Sequence, residues 1–292
     1  MSSPGQDRTP FRLDHFVVNL GLRGLIGTAL LLPYPVRVAF VGWLMRRVIG
    51  PIAGYRTRAR ENLHLIWPDQ SETDRNRIAD QVLDNAGRTL IENYSTKAFM
   101  ARAAEITPEG LGYQALVTAR DQKRPVILVS GHFGNYEAAR AALVERGFVI
   151  GGLYRNLSNR YFNAHYVKTM QAFGGPVFPQ GRAGTAGFVR HLKEGGQLVL
   201  LFDQDVPGAP ALPFLGRPAR TALSAAELAL RATQADATLT LDADKTNQGK
   251  DLQEVEMYNK AFLSEAQLVA QQLVSMLNNL RAGSSATLSV SA

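Results

Sequence analysis

Residues 126–130 read Val-Ile-Leu-Val-Ser, an apolar run without polar alternation, set between Pro125 and Gly131. A strand of this composition is buried on both faces and asks for helices above and below it. Similar runs recur at 147–154, 175–179 and 197–203, with helical segments between them at 134–146, 159–173 and 183–194. Strands alternating with helices predict an α/β fold, a mixed and mostly parallel sheet covered by helices on both faces. Further helices are expected at 16–32, 36–49, 72–104, 110–120 and 222–233. The third of these carries Ile78, Val82, Leu83, Leu90 and Ile91 at helical spacing. A chain of 292 residues is long enough for one large α/β domain or two small ones. Ligands bind beyond the carboxyl ends of parallel strands, so the segments after 130, 154 and 203 can share one cleft.

The first of these segments is Ser130-Gly-His-Phe-Gly-Asn-Tyr-Glu137. His132 follows the strand directly, with glycines at 131 and 134 leaving room for a substrate. On a continuous helix, positions five apart lie about 140° apart around the axis, so His132 and Glu137 would diverge. They can meet if His132 sits on the turn and Glu137 on the first turn of the next helix. The carboxylate would then accept from one ring nitrogen and leave the other free as a base. A lone histidine near a strand end is more often a satisfied core or surface residue; the sequence around this one changes the balance. The chain has no cysteine, which excludes a thiolate nucleophile, a disulfide and a Cys-ligated metal. No G-x-S-x-G pattern is present, so transfer without a covalent enzyme intermediate is expected. His15, His64, His165 and His191 are scattered, and neither a metal nor a cofactor is expected.

The stretch Ser130–Ala139 resembles the signature of the lipid A biosynthesis acyltransferases, the late lauroyl/myristoyl transferases of Gram-negative bacteria. Three further blocks are similar to that family. They are Leu153-Tyr-Arg155 followed by Asn159 and Tyr161, Gly195-Gly196 leading through a buried strand to Asp203-Gln204-Asp205, and Leu212-Pro-Phe-Leu-Gly216 leading to Arg220-Thr221. Asn156 stands where the family often has proline. The resemblance covers roughly residues 15–233. It implies an acyltransferase acting from acyl carrier protein on a hydroxyl of a lipid A precursor at the cytoplasmic face of the inner membrane. His132 would be the general base and Glu137 its orienting acid. Arg155, Asn159, Arg182 and Asp203 are the implied substrate-binding candidates, with Asp203 and Asp205 equally open to a structural role. An acyltransferase with another glycolipid or phospholipid acceptor, and a membrane-associated binding protein without activity, are the other readings.

Charge is unevenly placed. Residues 1–60 hold nine arginines and two acids, a net of +7, and the remaining 232 residues hold 23 basic and 23 acidic side chains. The basic excess overlaps two apolar runs, Phe16 to Leu32 and Val36 to Ile52. The first is at the lower limit for crossing a bilayer, and Arg23 near its middle is unfavourable there. An N-terminal segment of about 50 residues is therefore expected to lie in or on a membrane, held also by anionic lipid. A helical hairpin packed on the core is the plain alternative. Nucleic acid is not an expected partner, because no helix-turn-helix, RNP-like motif or long Lys/Arg run is present.

The composition breaks after Thr233. Residues 234–292 carry seven acids against four bases and only one arginine. Ala237-Thr-Leu-Thr-Leu241 has the alternation of a strand, and a long amphipathic helix is expected over 252–281. The chain therefore divides into membrane-anchoring helices over 1–50, an acyltransferase domain over 51–233, and a divergent strand-plus-helix segment over 234–292.

Overall fold

The computed structural model describes residues 11–110, 112–132, 134–225, 228, 238–241 and 287–290. Its centre is a six-stranded sheet. The strands are β1 (Val126–Ser130), β2 (Ile150–Tyr154), β3 (Val177–Pro179) and β4 (Gln197–Leu201), joined by β7 (Thr238–Leu241) and β8 (Thr287–Val290). Between β4 and β7 in the chain, β5 (Ala211–Phe214) and β6 (Arg217–Arg220) form a separate antiparallel hairpin. The sheet order is β3-β2-β4-β1-β7-β8. Every pairing in it is parallel, so the mixed sheet expected from the sequence is uniform in the described strands. The 237–241 strand is present beside β1, and a second strand at 287–290, which the sequence did not suggest, flanks it. The helix expected over 252–281 lies outside the described residues, as does most of that expected over 222–233.

Helices cover both faces of the sheet, as period-2 alternation along the strands requires. Leu198 and Leu200 meet Phe188 and Leu192 of α10 (Arg182–Lys193) on one face. Leu128 and Val199 meet Leu143 of α8 (Glu137–Val144) and Phe148 on the other. Phe188 is wholly buried. Burying a side chain of this kind contributes about 2–3 kcal/mol.

The described residues before β1 form helices: α1 (Leu13–Leu30), α2 (Tyr34–Leu44), α3 (Gly50–Ile52), α4 (Tyr55–Ile66), α5 (Glu72–Tyr94), α6 (Thr96–Glu105) and α7 (Tyr113–Asp121). A wide π-turn at Met45–Ile49 joins α2 to α3. Pro51 has no N–H to give, and in an α-turn its ring would crowd the carbonyl of Arg47; the wider turn relieves both problems. The single helix expected over 72–104 is broken at Ser95, whose backbone leaves the helical region and whose hydroxyl donates to the Ile91 carbonyl at 2.7 Å. Helix α4 was not anticipated, because it has few apolar residues. It is held instead by charge: Arg56 reaches Asp80 at 2.7 Å and Arg60 reaches Glu72 at 2.7 Å, both on α5. Arg46 shares Asp80 at 3.5 Å. Part of the N-terminal basic excess is thus spent within the fold.

No helix among the described residues is long and apolar enough to cross a membrane. Helix α1 nonetheless buries only Asn19, Ile26 and Ala29. Val17, Leu20 and Leu25 on α1, Phe40 and Trp43 on α2, and Ile52 on α3 are all exposed. The other side of α2 is close-packed on α5 through glycines. A Cβ on Gly87 would stand 2.5 Å from the Val41 carbonyl oxygen and 2.7 Å from Met45 Cβ. Gly87→Ala should therefore push α2 off α5 and cost roughly 1–3 kcal/mol, read as a lower urea midpoint. An unchanged midpoint would show that the two helices do not pack this closely.

Candidate active site

The site follows from the register of β1 and β4. Ser130 pairs with Leu201 at the carboxyl ends of the two strands. Two residues further along each chain stand His132 and Asp203, side by side. Asp203 grips the histidine twice. Its Oδ2 accepts from the His132 backbone N–H at 2.6 Å, and its Oδ1 lies 2.8 Å from the ring Nδ1. A carboxylate there requires Nδ1 to carry the proton, which leaves Nε2 with its lone pair free. Gln204 places its Nε2 at 3.4 Å from that ring nitrogen, a long contact an incoming hydroxyl can displace. The His132 side chain is 34% exposed and that of Asp203 15%, so the imidazole faces the surface and its partner is sheltered.

Burial pushes the Asp203 carboxyl up. The bonds from the His132 ring and backbone amide outweigh that and hold it below the ordinary carboxylate range. Tyr136 stands edge-on to the imidazole at 5.1 Å between centroids. Burial, reinforced by the charge of Glu137, holds its phenol protonated.

The loop carrying His132 is fastened from the other side by the last turns of α5. Thr89 donates to the Gly134 carbonyl at 3.1 Å, and Asn135 Nδ2 donates to Glu92 Oε2 at 3.0 Å. Asn135 Oδ1 accepts from the Glu137 backbone N–H at 3.2 Å and so starts α8. Gly134 lies at φ +57°, a left-handed turn that favours glycine.

The expected contact between His132 and Glu137 is replaced by this arrangement. Glu137 opens α8 with its carboxylate turned inward, where Oε2 accepts from Arg140 at 2.9 Å. The pair is sheltered, at 12% and 4% side-chain exposure. Arg140 also donates to the carbonyls of Ile150 and Gly174. Three residues apart, the two side chains lie on one helix face. Glu137 therefore braces the helix that follows the histidine loop.

The remaining candidates are dispersed. Arg155 follows β2, two strands from β1 and about 10 Å across the sheet; it is exposed at the same carboxyl edge. Asn159 caps α9 (Arg160–Ala172), accepting from the Tyr161 and Phe162 amides, and donates to the His15 carbonyl of α1 at 2.7 Å. Its amide oxygen and its amide nitrogen are both engaged in holding two helices in place. Arg182 begins α10, but its side chain lies outside the described residues. Asp205 is bound by Arg220 of β6 at 2.7 and 2.5 Å, tying the β5–β6 hairpin to the segment that carries Asp203. Among the described residues no group of three or more acids and histidines is placed to hold a metal.

A histidine held in one tautomer by a carboxylate, at the carboxyl edge of a parallel sheet, presents its second ring nitrogen as a proton acceptor. The model of the bacterial lipid A biosynthesis acyltransferase family matches residues 8–266, and the chain belongs to that family. The match passes the point near residue 233 where the recognisable blocks end. Lipid A biosynthesis acyltransferase 1 of Shigella flexneri is 26% identical over 157 residues, covering 51% of this chain and 46% of that protein. The alignment thus spans about half the length of that relative.

The two acids should separate under mutation. Asp203 has its folded-state value lowered, so its contribution to stability is complete above the ordinary carboxylate value near 3.9 and is lost as pH falls through the lower folded value. Asp203→Asn should cost stability at pH 7 and progressively less below about pH 4. Glu137→Ala leaves a buried guanidinium unpaired and should cost roughly 3–5 kcal/mol at pH 7. Chemical denaturation at pH 7 and pH 3 reads both. A deficit in Asp203→Asn that does not change with pH would show that the carboxylate is not held as described.

Proposed function

We propose that this protein transfers a fatty acyl chain from acyl carrier protein to a hydroxyl of a lipid A precursor. The observation that carries the reading is the His132–Asp203 pair, with the second ring nitrogen turned to an accessible edge. His132 Nε2 takes the acceptor's hydroxyl proton as that oxygen attacks the acyl thioester carbon. The new C–O bond forms, the C–S bond breaks, and the imidazolium returns the proton to the departing thiolate. Asp203 stabilises the imidazolium while it exists and keeps the ring in place. Arg155, at the same edge and without an ion pair among the described residues, is the group we assign to an acceptor phosphate or to the developing oxyanion. Glu137 supports the loop from beneath through Arg140.

The reaction needs a lipid acceptor, and the exposed apolar side chains of α1 to α3 suit a protein lying on the cytoplasmic face of the inner membrane. Arg23 and Arg47 are exposed among them, available to anionic headgroups.

Two measurements test this reading. In an acyl-transfer assay with carrier-linked donor, His132→Ala should lower kcat by about 10²–10⁴-fold with the fold intact. Asp203→Asn should follow it, whereas Glu137→Ala should lose activity only in proportion to its loss of folded protein. Wild-type turnover in His132→Ala would remove the mechanism. Separately, Leu20→Asp with Trp43→Asp should move the protein from sedimenting lipid vesicles to the supernatant without lowering its melting temperature. If the double variant still sediments, another surface makes the contact.

A further inference from the structure

Glu92, near the end of α5, touches two parts of the molecule that otherwise have little in common. Its Oε1 accepts from the Tyr34 hydroxyl at 3.0 Å, and its Oε2 accepts from Asn135 Nδ2 at 3.0 Å. Tyr34 is the first residue of α2, at the bend of the apolar α1–α2 hairpin. The guanidinium of Arg102 lies over its ring at 4.2 Å and that of Arg37 at 5.5 Å. Asn135 is three residues beyond His132 and sets the start of α8. One half-buried carboxylate is thus shared between the hairpin that carries the exposed apolar surface and the loop that carries the base.

Both bonds are charge-assisted and use different oxygens, so the carboxylate holds both partners at once. If Tyr34 withdraws, the carboxylate can rotate and Asn135 loses its fixed partner. Asp203 grips His132 from the opposite side, but the loop between includes Gly134 in a left-handed turn, and that turn has no side chain to brace it.

We infer that Glu92 is a positioning residue, through which the seating of the α1–α2 hairpin sets the place of the His132 loop. The inference rests on His132 being the base, as proposed above. It makes catalysis sensitive to the docking of the lipid-facing helices without any residue of those helices entering the site.

Steady-state kinetics on the full chain tests it with Tyr34→Phe, Glu92→Ala, the double variant and His132→Ala. Tyr34→Phe removes one oxygen and keeps the ring beneath Arg102, so the fold is not at stake. Its kcat should fall about tenfold, the scale of one charge-assisted hydrogen bond, with both KM values unchanged and the melting temperature lower by only about 2–6 °C, so that the protein stays fully folded in the assay. Glu92→Ala should fall at least as far, and adding Tyr34→Phe to it should cause no further loss, because the hydroxyl acts through the carboxylate. Glu92→Gln, which keeps an acceptor for one partner, should recover part of the activity. Wild-type kcat in Tyr34→Phe, or losses that multiply in the double variant, would overturn the inference while an inactive His132→Ala leaves the proposed function standing. Full activity in His132→Ala would instead remove the proposed function itself.

Discussion

The pairing of β1 with β4 is the constraint on which the site depends. The strands run parallel and in register through five residue pairs, so their chains leave the sheet at the same height. The short stretches Gly131-His132 and Phe202-Asp203 then have little choice but to lie beside each other. A shift of one residue in this register would turn one strand over relative to the other and carry its apolar side chains to the wrong face. The hydrophobic contacts on both sides of the sheet therefore protect the geometry of the pair. Phe188, Leu192 and Leu198 on one face, and Leu143, Phe148 and Ile150 behind the other, serve the site in this indirect way.

A second layer of order comes from α5. It carries the carboxylates that neutralise N-terminal arginines along one stretch, and the Thr89 and Glu92 side chains that reach the histidine loop along another. The long helix joins the apolar hairpin to the loop that follows β1. The ion pair of Glu137 with Arg140 does the same work from beneath, where a buried guanidinium fixes the start of α8 against the β2 and α9 ends.

Much of this was legible in the sequence. Continuous apolar runs located β1 to β4, and the composition of 237–241 located β7 despite the break in charge that precedes it. The histidine was visible because a polar, titratable residue stood directly after a buried strand. Its carboxylate partner was not. Sequence spacing favours the near neighbour, Glu137, and helix phase turned that side chain inward. Asp203 is 71 positions away, and only strand order places it at the imidazole. That order, β4 beside β1 with β2 beyond, is a tertiary choice that no local pattern specifies. Helix α4 was hidden for a related reason, since its support is a set of ion pairs to α5 and not an apolar stripe. Asn159 was seen as a ligand because its motif neighbours suggested one, while its side chain is consumed in capping.

That cap has a temporal side. The Asn159 amide meets the His15 carbonyl across 144 positions of chain. At about 5–20 residues per second of synthesis, α1 exists for roughly seven to thirty seconds before α9 can fasten it. During that interval its oily side has no counterpart from the second half of the chain. The order in which the chain emerges thus leaves the apolar hairpin to find its own cover before the site has been built.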